Sequence, residues 1–80
     1  MLLVQFYTRP NCHLCHQVLE TLRELQKEVN FRINLIDISL SEDLEKLHGK
    51  DIPIVTLNGK VILKHRVDED ELRRILRSVD

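Results

Sequence analysis

The chain has 80 residues, 42% of them apolar and 31% charged, with a formal net charge of −1. That balance suits a small folded domain and excludes a disordered chain, and it leaves no net basic charge to draw the protein to nucleic acid or an anionic membrane surface. No apolar stretch approaches the roughly 20 residues that span a bilayer, and Met1–Gln5 lacks the features of a signal peptide, so a cytosolic protein with no membrane partner is expected. One domain over residues 1–80 is predicted, with a core built mostly of Leu, Ile and Val because the aromatics are only Phe6, Tyr7 and Phe31.

Leu2-Leu3-Val4-Gln5-Phe6-Tyr7 is rich in strand formers without strict alternation, which predicts a strand buried on both faces. Pro10 and Asn11 end it, and Asn11 is read as the N-cap of a helix beginning at Cys12. Cys15, Val18, Leu19, Leu22, Leu25, Gln26 and Val29 then recur at intervals of three and four. They predict a helix of about 18 residues, closed by Asn30 in a left-handed conformation. Phe31–Ile38 alternates at first and then turns apolar, as a strand near a sheet edge would. Ser39, Ser41, Glu42 and Asp43 are helix-start residues. Leu44 and Leu47 stripe a short helix of about two turns, which Gly49 stops.

Asp51–Leu57 reads as the next strand, with Pro53 near its start, where a missing N–H does least harm. Asn58-Gly59 signals a hairpin, and Lys60–His65 is the return strand. Asp68 and Glu71 form a capping box for a last helix whose acidic first turn matches the positive end of its dipole. Leu72, Ile75, Leu76 and Val79 are its apolar stripe, while Arg73, Arg74 and Arg77 face solvent. The order is β-α-β-α-β-β-α. A right-handed crossover makes the first two strands parallel and the hairpin makes the last two antiparallel. An α/β fold with a four-stranded mixed sheet and three helices is the expectation.

The chemistry concentrates in Tyr7-Thr8-Arg9-Pro10-Asn11-Cys12-His13-Leu14-Cys15-His16, which holds both cysteines. Two cysteines separated by two residues at a strand-to-helix junction read as a dithiol that cycles with a disulfide. So short a loop constrains the unfolded chain very little, which makes the bond a poor staple and a better reagent. The thiolate is the reactive species, and a helix N-terminus stabilises it. Cys12 occupies that place. Cys15, at i+3, can reach a mixed disulfide on Cys12 while continuing the buried stripe. Arg9 and His13 are positioned to add positive charge.

Other chemistries share these residues. Cys12–His16 fits the C-x-x-C-H pattern of c-type haem attachment, with Met1, His48 or His65 as a scattered second ligand. Haem attachment normally follows export, and the strands do not suit a small helical cytochrome. A zinc site from Cys12, Cys15, His16 and one more histidine finds no second half at the usual spacing. A redox-inert interaction module is the remaining alternative. Lys64, His65, Arg66, Arg73, Arg74 and Arg77 read as a solvated face, without the interleaved aromatics of a nucleic-acid surface.

Three features together resemble the thioredoxin superfamily in its minimal, glutaredoxin-like form. They are a strand followed by TRPNCHLC and a long helix, then DIPIV at residues 51–55, then a hairpin and a capped helix. The resemblance spans essentially the whole chain and is nearest to small glutaredoxin-like proteins with a Cys-x-Leu-Cys site. It implies the minimal thioredoxin fold and a thiol–disulfide oxidoreductase with Cys12 as attacking and Cys15 as resolving thiol. It also implies a cis Pro53 facing the disulfide, and pairing of the Ile52 backbone with a bound peptide or glutathione. Arg9 occupies a place where glutaredoxins often carry lysine. Asp68 would either meet the glutathione amino group or serve as a plain N-cap. The implied partners are a disulfide-containing protein, glutathione as a co-substrate, and a reductase or thioredoxin-like reductant; a monomer without bound cofactor or metal is expected. Fe–S bridging through Cys12 of two subunits, as in some glutaredoxins, is an alternative. The chain departs from the family in carrying His13-Leu14 where glutaredoxins have Pro-Tyr. It also carries Arg66-Val67-Asp68 in place of the glycine pair that lets the glutathione backbone approach.

Overall fold

In a computed structural model, which describes residues 2–65 and 68–78, the sheet is assembled around β1 (Leu2–Thr8). β1 pairs in parallel with β2 (Phe31–Asp37) and antiparallel with β3 (Ile54–Leu57), and β3 pairs antiparallel with β4 (Lys60–Lys64). The strand order is β2-β1-β3-β4. The helices are α1 (His13–Leu25), α2 (Glu42–His48) and α3 (Glu69–Ser78). This is the thioredoxin-like α/β fold that the resemblance implies. The residues at 1, 66, 67, 79 and 80 lie outside the description, so the expected roles of Met1, Arg66, Val67 and Val79 lie outside it too.

Side chains alternate along a strand, and burial along β1 follows. Val4 and Phe6 are fully buried, while Leu3 is 39% exposed and Gln5 and Tyr7 are half-buried. The expectation of a strand covered equally on both faces is therefore corrected. On one face Val4, Phe6, Phe31, Val55, Leu57 and Leu63 share a core with Val18, Leu22 and Leu25 of α1 and Leu72 and Leu76 of α3. Tyr7, on the opposite face, meets the ring of His48 at the end of α2, with centroids 4.8 Å apart. A helix of seven residues spans only about 10 Å. It reaches the Tyr7 end of the sheet and leaves Leu3 and Val61 open.

α1 is shorter than its apolar periodicity predicts. After Leu25 the turns tighten: the Lys27 amide donates to Glu24 O at 3.2 Å and the Glu28 amide to Leu25 O at 2.9 Å. The Gln26 side chain is drawn out of the stripe to donate to Phe31 O at 3.1 Å. Val29 still reaches the core, but from the turn beyond the helix. Asn30 does not close the helix, because the non-glycine residues with positive φ among those described are Asn58 and His65. The stripe also includes a polar member, Thr21, whose hydroxyl lies 2.9 Å from Glu69 Oε1 on α3.

Two strand boundaries also move. β2 is an edge strand, but its covered end is the start: Phe31 is buried and Leu35 is exposed. Beyond Asp37 the chain enters a 3₁₀ turn at Ile38–Leu40, with the Asp37 carboxylate accepting from the Ser39 amide at 2.9 Å. β3 begins at Ile54 rather than Asp51, because the amides of Asp51 and Ile52 donate back to His48 O at 2.9 and 3.2 Å. The start of α2 is as expected, with Ser41 Oγ accepting from the Leu44 amide. Its stripe is not: Leu44 is half-buried and Leu47 is 69% exposed. In the hairpin, Asn58 and Gly59 take φ values of 49° and 90°, the left-handed pair that a two-residue connection requires. Asn58 also fastens this turn to β1 by accepting from Leu3 N through Oδ1 and donating from its amide to Leu3 O.

Candidate functional site

The candidate site is built from loops that leave one end of the sheet. β1 ends at Thr8, and the Cys12 amide then donates to Arg9 O at 3.2 Å, closing a turn with Pro10 and Asn11 at its centre. Those two residues are spent on the turn. The N-cap of α1 is therefore Cys12 and not Asn11. Cys12 has extended backbone angles (φ −102°, ψ 104°), and its sulfur accepts from the Cys15 amide at 3.1 Å. Cys12 O accepts from the His16 amide at 3.2 Å. Cys12 and Cys15 are joined as a disulfide, with Cα atoms 5.2 Å apart. The two sulfurs differ in their surroundings. Cys15 is 1% exposed within the α1 stripe, whereas Cys12 is half-buried at the helix tip.

The electrostatics of the three helix starts differ as well. The first turn of α2 carries Glu42, Asp43 and Glu45, and that of α3 carries Glu69, Asp70 and Glu71, while the first turn of α1 carries no acidic residue. The positive end of the α1 dipole is thus left for a charge on Cys12. His13 is exposed, and its Nε2 accepts from Gln17 Nε2 at 3.3 Å. His16 Nε2 donates to Pro10 O at 3.1 Å, which ties α1 back to the turn before it. Among the described residues no three His, Cys, Asp or Glu side chains group as a metal site requires.

The sheet register brings the second and third loops to the same end. Ile54 lies opposite Tyr7 on one side and Lys64 on the other, so Pro53 continues β3 alongside Thr8 and His65. The Ile52–Pro53 peptide bond is cis. Pro53 O accepts from the His65 amide at 2.8 Å, and His65 holds a positive φ of 64° to make that bond. Ile52 and Pro53 are both buried. Asp68 is exposed, and its Oδ1 accepts from the amides of Asp70 and Glu71 at 3.0 and 3.3 Å, the geometry of an N-cap of α3.

The Arg9 guanidinium is engaged on the α2 side. Its Nη2 donates to Glu45 Oε2 at 3.0 Å and to Gly49 O at 3.2 Å, both on the α2 side. Sequence reading did not single out Glu45, it named His65 only as a scattered haem ligand and as part of a solvated basic face, and it read Gly49 only as a helix stop. An open cleft of about 260 Å³ borders the buried thiol, lined by Thr8, Arg9, Pro10, Cys15, His16, Leu19, Leu35 and Asp37. A polar cleft of about 540 Å³ lies between α1 and α3 around Gln17, Glu20, Thr21, Glu24, Glu69 and Arg73, away from both sulfurs.

Comparison with known proteins agrees with this architecture. Residues 3–77 match the family described as Glutaredoxin-like domain (DUF836). The glutaredoxin-like protein YDR286C homolog of Dictyostelium discoideum is 36% identical over 76 residues, which cover 86% of this chain and 69% of that protein. The uncharacterized protein Rv0508 of Mycobacterium tuberculosis is 33% identical over 75 residues, covering 88% of this chain and 77% of that one. Among solved structures, protein Ne2328 of Nitrosomonas europaea superposes with a TM-score of 0.77 at 28% identity, covering 94% of this chain and 91% of that one. The X. campestris protein XcR50 gives 0.78 at 25% identity, covering 94% and 96%. The fold is thus thioredoxin-like, and a bonded cysteine pair at the start of its first helix is compatible with redox activity.

Proposed function

The chain belongs to the glutaredoxin-like domain family, and from that premise we propose that it is a thiol–disulfide oxidoreductase of the dithiol type. The observation that carries this reading is the inequality of the two sulfurs. Cys12 is accessible at the helix tip and receives the Cys15 amide hydrogen, while Cys15 is buried one turn inside. In the reduced protein the Cys12 thiolate attacks one sulfur of a substrate disulfide and releases the other as a thiolate. Cys15 then attacks the Cys12 sulfur of the mixed disulfide, re-forming the Cys12–Cys15 bond and releasing the second substrate thiol. Two electrons pass to the substrate, and glutathione or a thioredoxin-type reductant then reduces the Cys12–Cys15 disulfide back to the dithiol.

The substrates are disulfide-containing proteins or glutathione mixed disulfides. Pro53 flanks the site, and Ile52 offers its backbone to the incoming peptide. The Ile52 amide is already donated to His48 O, so the peptide meets its carbonyl. His13 lies at the rim of the site. The N-cap geometry of Asp68 favours a structural role for that residue over capture of a glutathione amino group. The protein acts as a cytosolic monomer. Its reduction potential falls in the oxidoreductase range of about −270 to −180 mV, above the roughly −300 mV limit typical of structural disulfides.

Turnover tests the reading. The wild-type protein reduces insulin or a glutathionylated peptide with glutathione or dithiothreitol as reductant, and the Cys12→Ser, Cys15→Ser double variant does not. A double variant with wild-type activity would refute it.

A further inference from the structure

Arg9 has two ends, each fastened to a different loop of the site. Its backbone carbonyl accepts the Cys12 amide at 3.2 Å, closing the turn that presents the nucleophile. Its guanidinium crosses to Glu45 and to the carbonyl of Gly49, the residue that ends α2. A cation there meets the negative end of a helix dipole and a free terminal carbonyl, both favourable partners. The chain then runs from Gly49 directly to Ile52 and Pro53. The residue at 49 must also be small: a Cβ there would lie 2.5 Å from Glu45 O and 3.3 Å from Arg9 Nη2.

Stability does not explain an arginine in this place. The Arg9 and Glu45 side chains are 36% and 37% exposed, and half-exposed ion pairs contribute little. Arg9 Nε is meanwhile buried with no hydrogen-bond partner among the described residues, which costs folding energy. The charge is also spent on Glu45 and is no longer a free cation beside Cys12.

We infer that Arg9 is a positioning residue, a strut that sets the distance between the Cys12 turn and the Ile52–Pro53 loop, with Glu45 and Gly49 as its anchor. This rests on the dithiol reading above. A substrate disulfide docking against the Ile52–Pro53 loop must bring its sulfur in line with Cys12, and a misplacement of about 1 Å costs up to a hundredfold in rate. A small alkylating probe needs only Cys12 and is indifferent to the second loop.

The experiment is a double-mutant cycle on kcat/KM for a protein disulfide, with the pH profile of iodoacetamide alkylation of the reduced protein measured in parallel. Arg9→Met and Glu45→Ala are each expected to lower kcat/KM by about tenfold or more. The double variant falls no further than the worse single one, because both remove the same strut. Gly49→Ala, approaching the strut from its other end, shifts kcat/KM in the same direction, and Arg9→Lys recovers part of the loss. The alkylation profile stays at its wild-type position throughout. Wild-type kcat/KM in Arg9→Met would overturn the inference. So would opposite signs for Arg9→Met and Glu45→Ala, or a displaced alkylation profile, since these are the marks of a cation acting directly on Cys12. A wild-type protein with no turnover at all would instead remove the dithiol reading, and this inference with it.

Discussion

Val4, Phe6 and Val55 meet α1 and α3 on one face of the sheet and are fully excluded from solvent. On the other face Leu3 and Val61 are 39% and 52% exposed, and α2 contains no buried residue at all. The first face is held by packing, which is dense and intolerant of volume change. The second buries Ile54 and Thr56 beside Tyr7, and its helix is held by caps and polar ties: Ser41 at the start of α2, Arg9 and Gly49 at its end, and the Tyr7–His48 ring contact. The candidate site sits between the two systems. α1, which carries both sulfurs, is seated by the dense face. The loop leading to Pro53 hangs from the lightly anchored one. A nucleophile seated on the dense face is thus set against a loop whose Ile52 and Pro53 are buried but whose approach from α2 is held by hydrogen bonds.

Substitutions that probe the two faces should differ in size. Phe6→Ala, in the dense core, should destabilise by about 3–5 kcal/mol and Leu22→Ala by about 2–5 kcal/mol, read by urea or thermal unfolding. A loss below about 1 kcal/mol at either site would put the core elsewhere. Ser41→Ala removes the cap of α2 and should cost about 1 kcal/mol. Leu47→Ala, on the outer side of α2, should change stability by no more than about 0.5 kcal/mol. A cost at Leu47 comparable to that at Leu22 would erase the distinction between the faces.

What the sequence made legible was local. Element order, the Asn58-Gly59 hairpin, the Ser41 cap and the asymmetry of Cys12 and Cys15 all follow from short-range signals of propensity and period. The misses are of two kinds. Some are local competitions that propensity does not rank: Asn11 is a good capping residue, but the turn closed by Arg9 O takes it, and the cap passes to Cys12. Others are contacts between residues far apart in the chain. Thr21 breaks the apolar stripe of α1 yet is buried, because Glu69, 48 residues on, meets its hydroxyl. Arg9 finds Glu45 and Gly49 at separations of 36 and 40 residues. Isolated charged residues carry no periodicity, so nothing in the sequence announces such pairs. The end of α1 was misplaced for a related reason: Val29 keeps the period of the stripe, but a tightened turn delivers it to the core.

The account stands most directly on the inequality of the two thiols. Intact-mass analysis of Cys15→Ser and Cys12→Ser, each reduced and then exposed to glutathione disulfide or a protein disulfide at neutral pH, measures it. Cys15→Ser should accumulate one stable mixed disulfide on Cys12, while Cys12→Ser should remain largely unmodified because its remaining thiol is buried. Adduct formation at Cys15 in Cys12→Ser that matches or exceeds that at Cys12 would contradict the account.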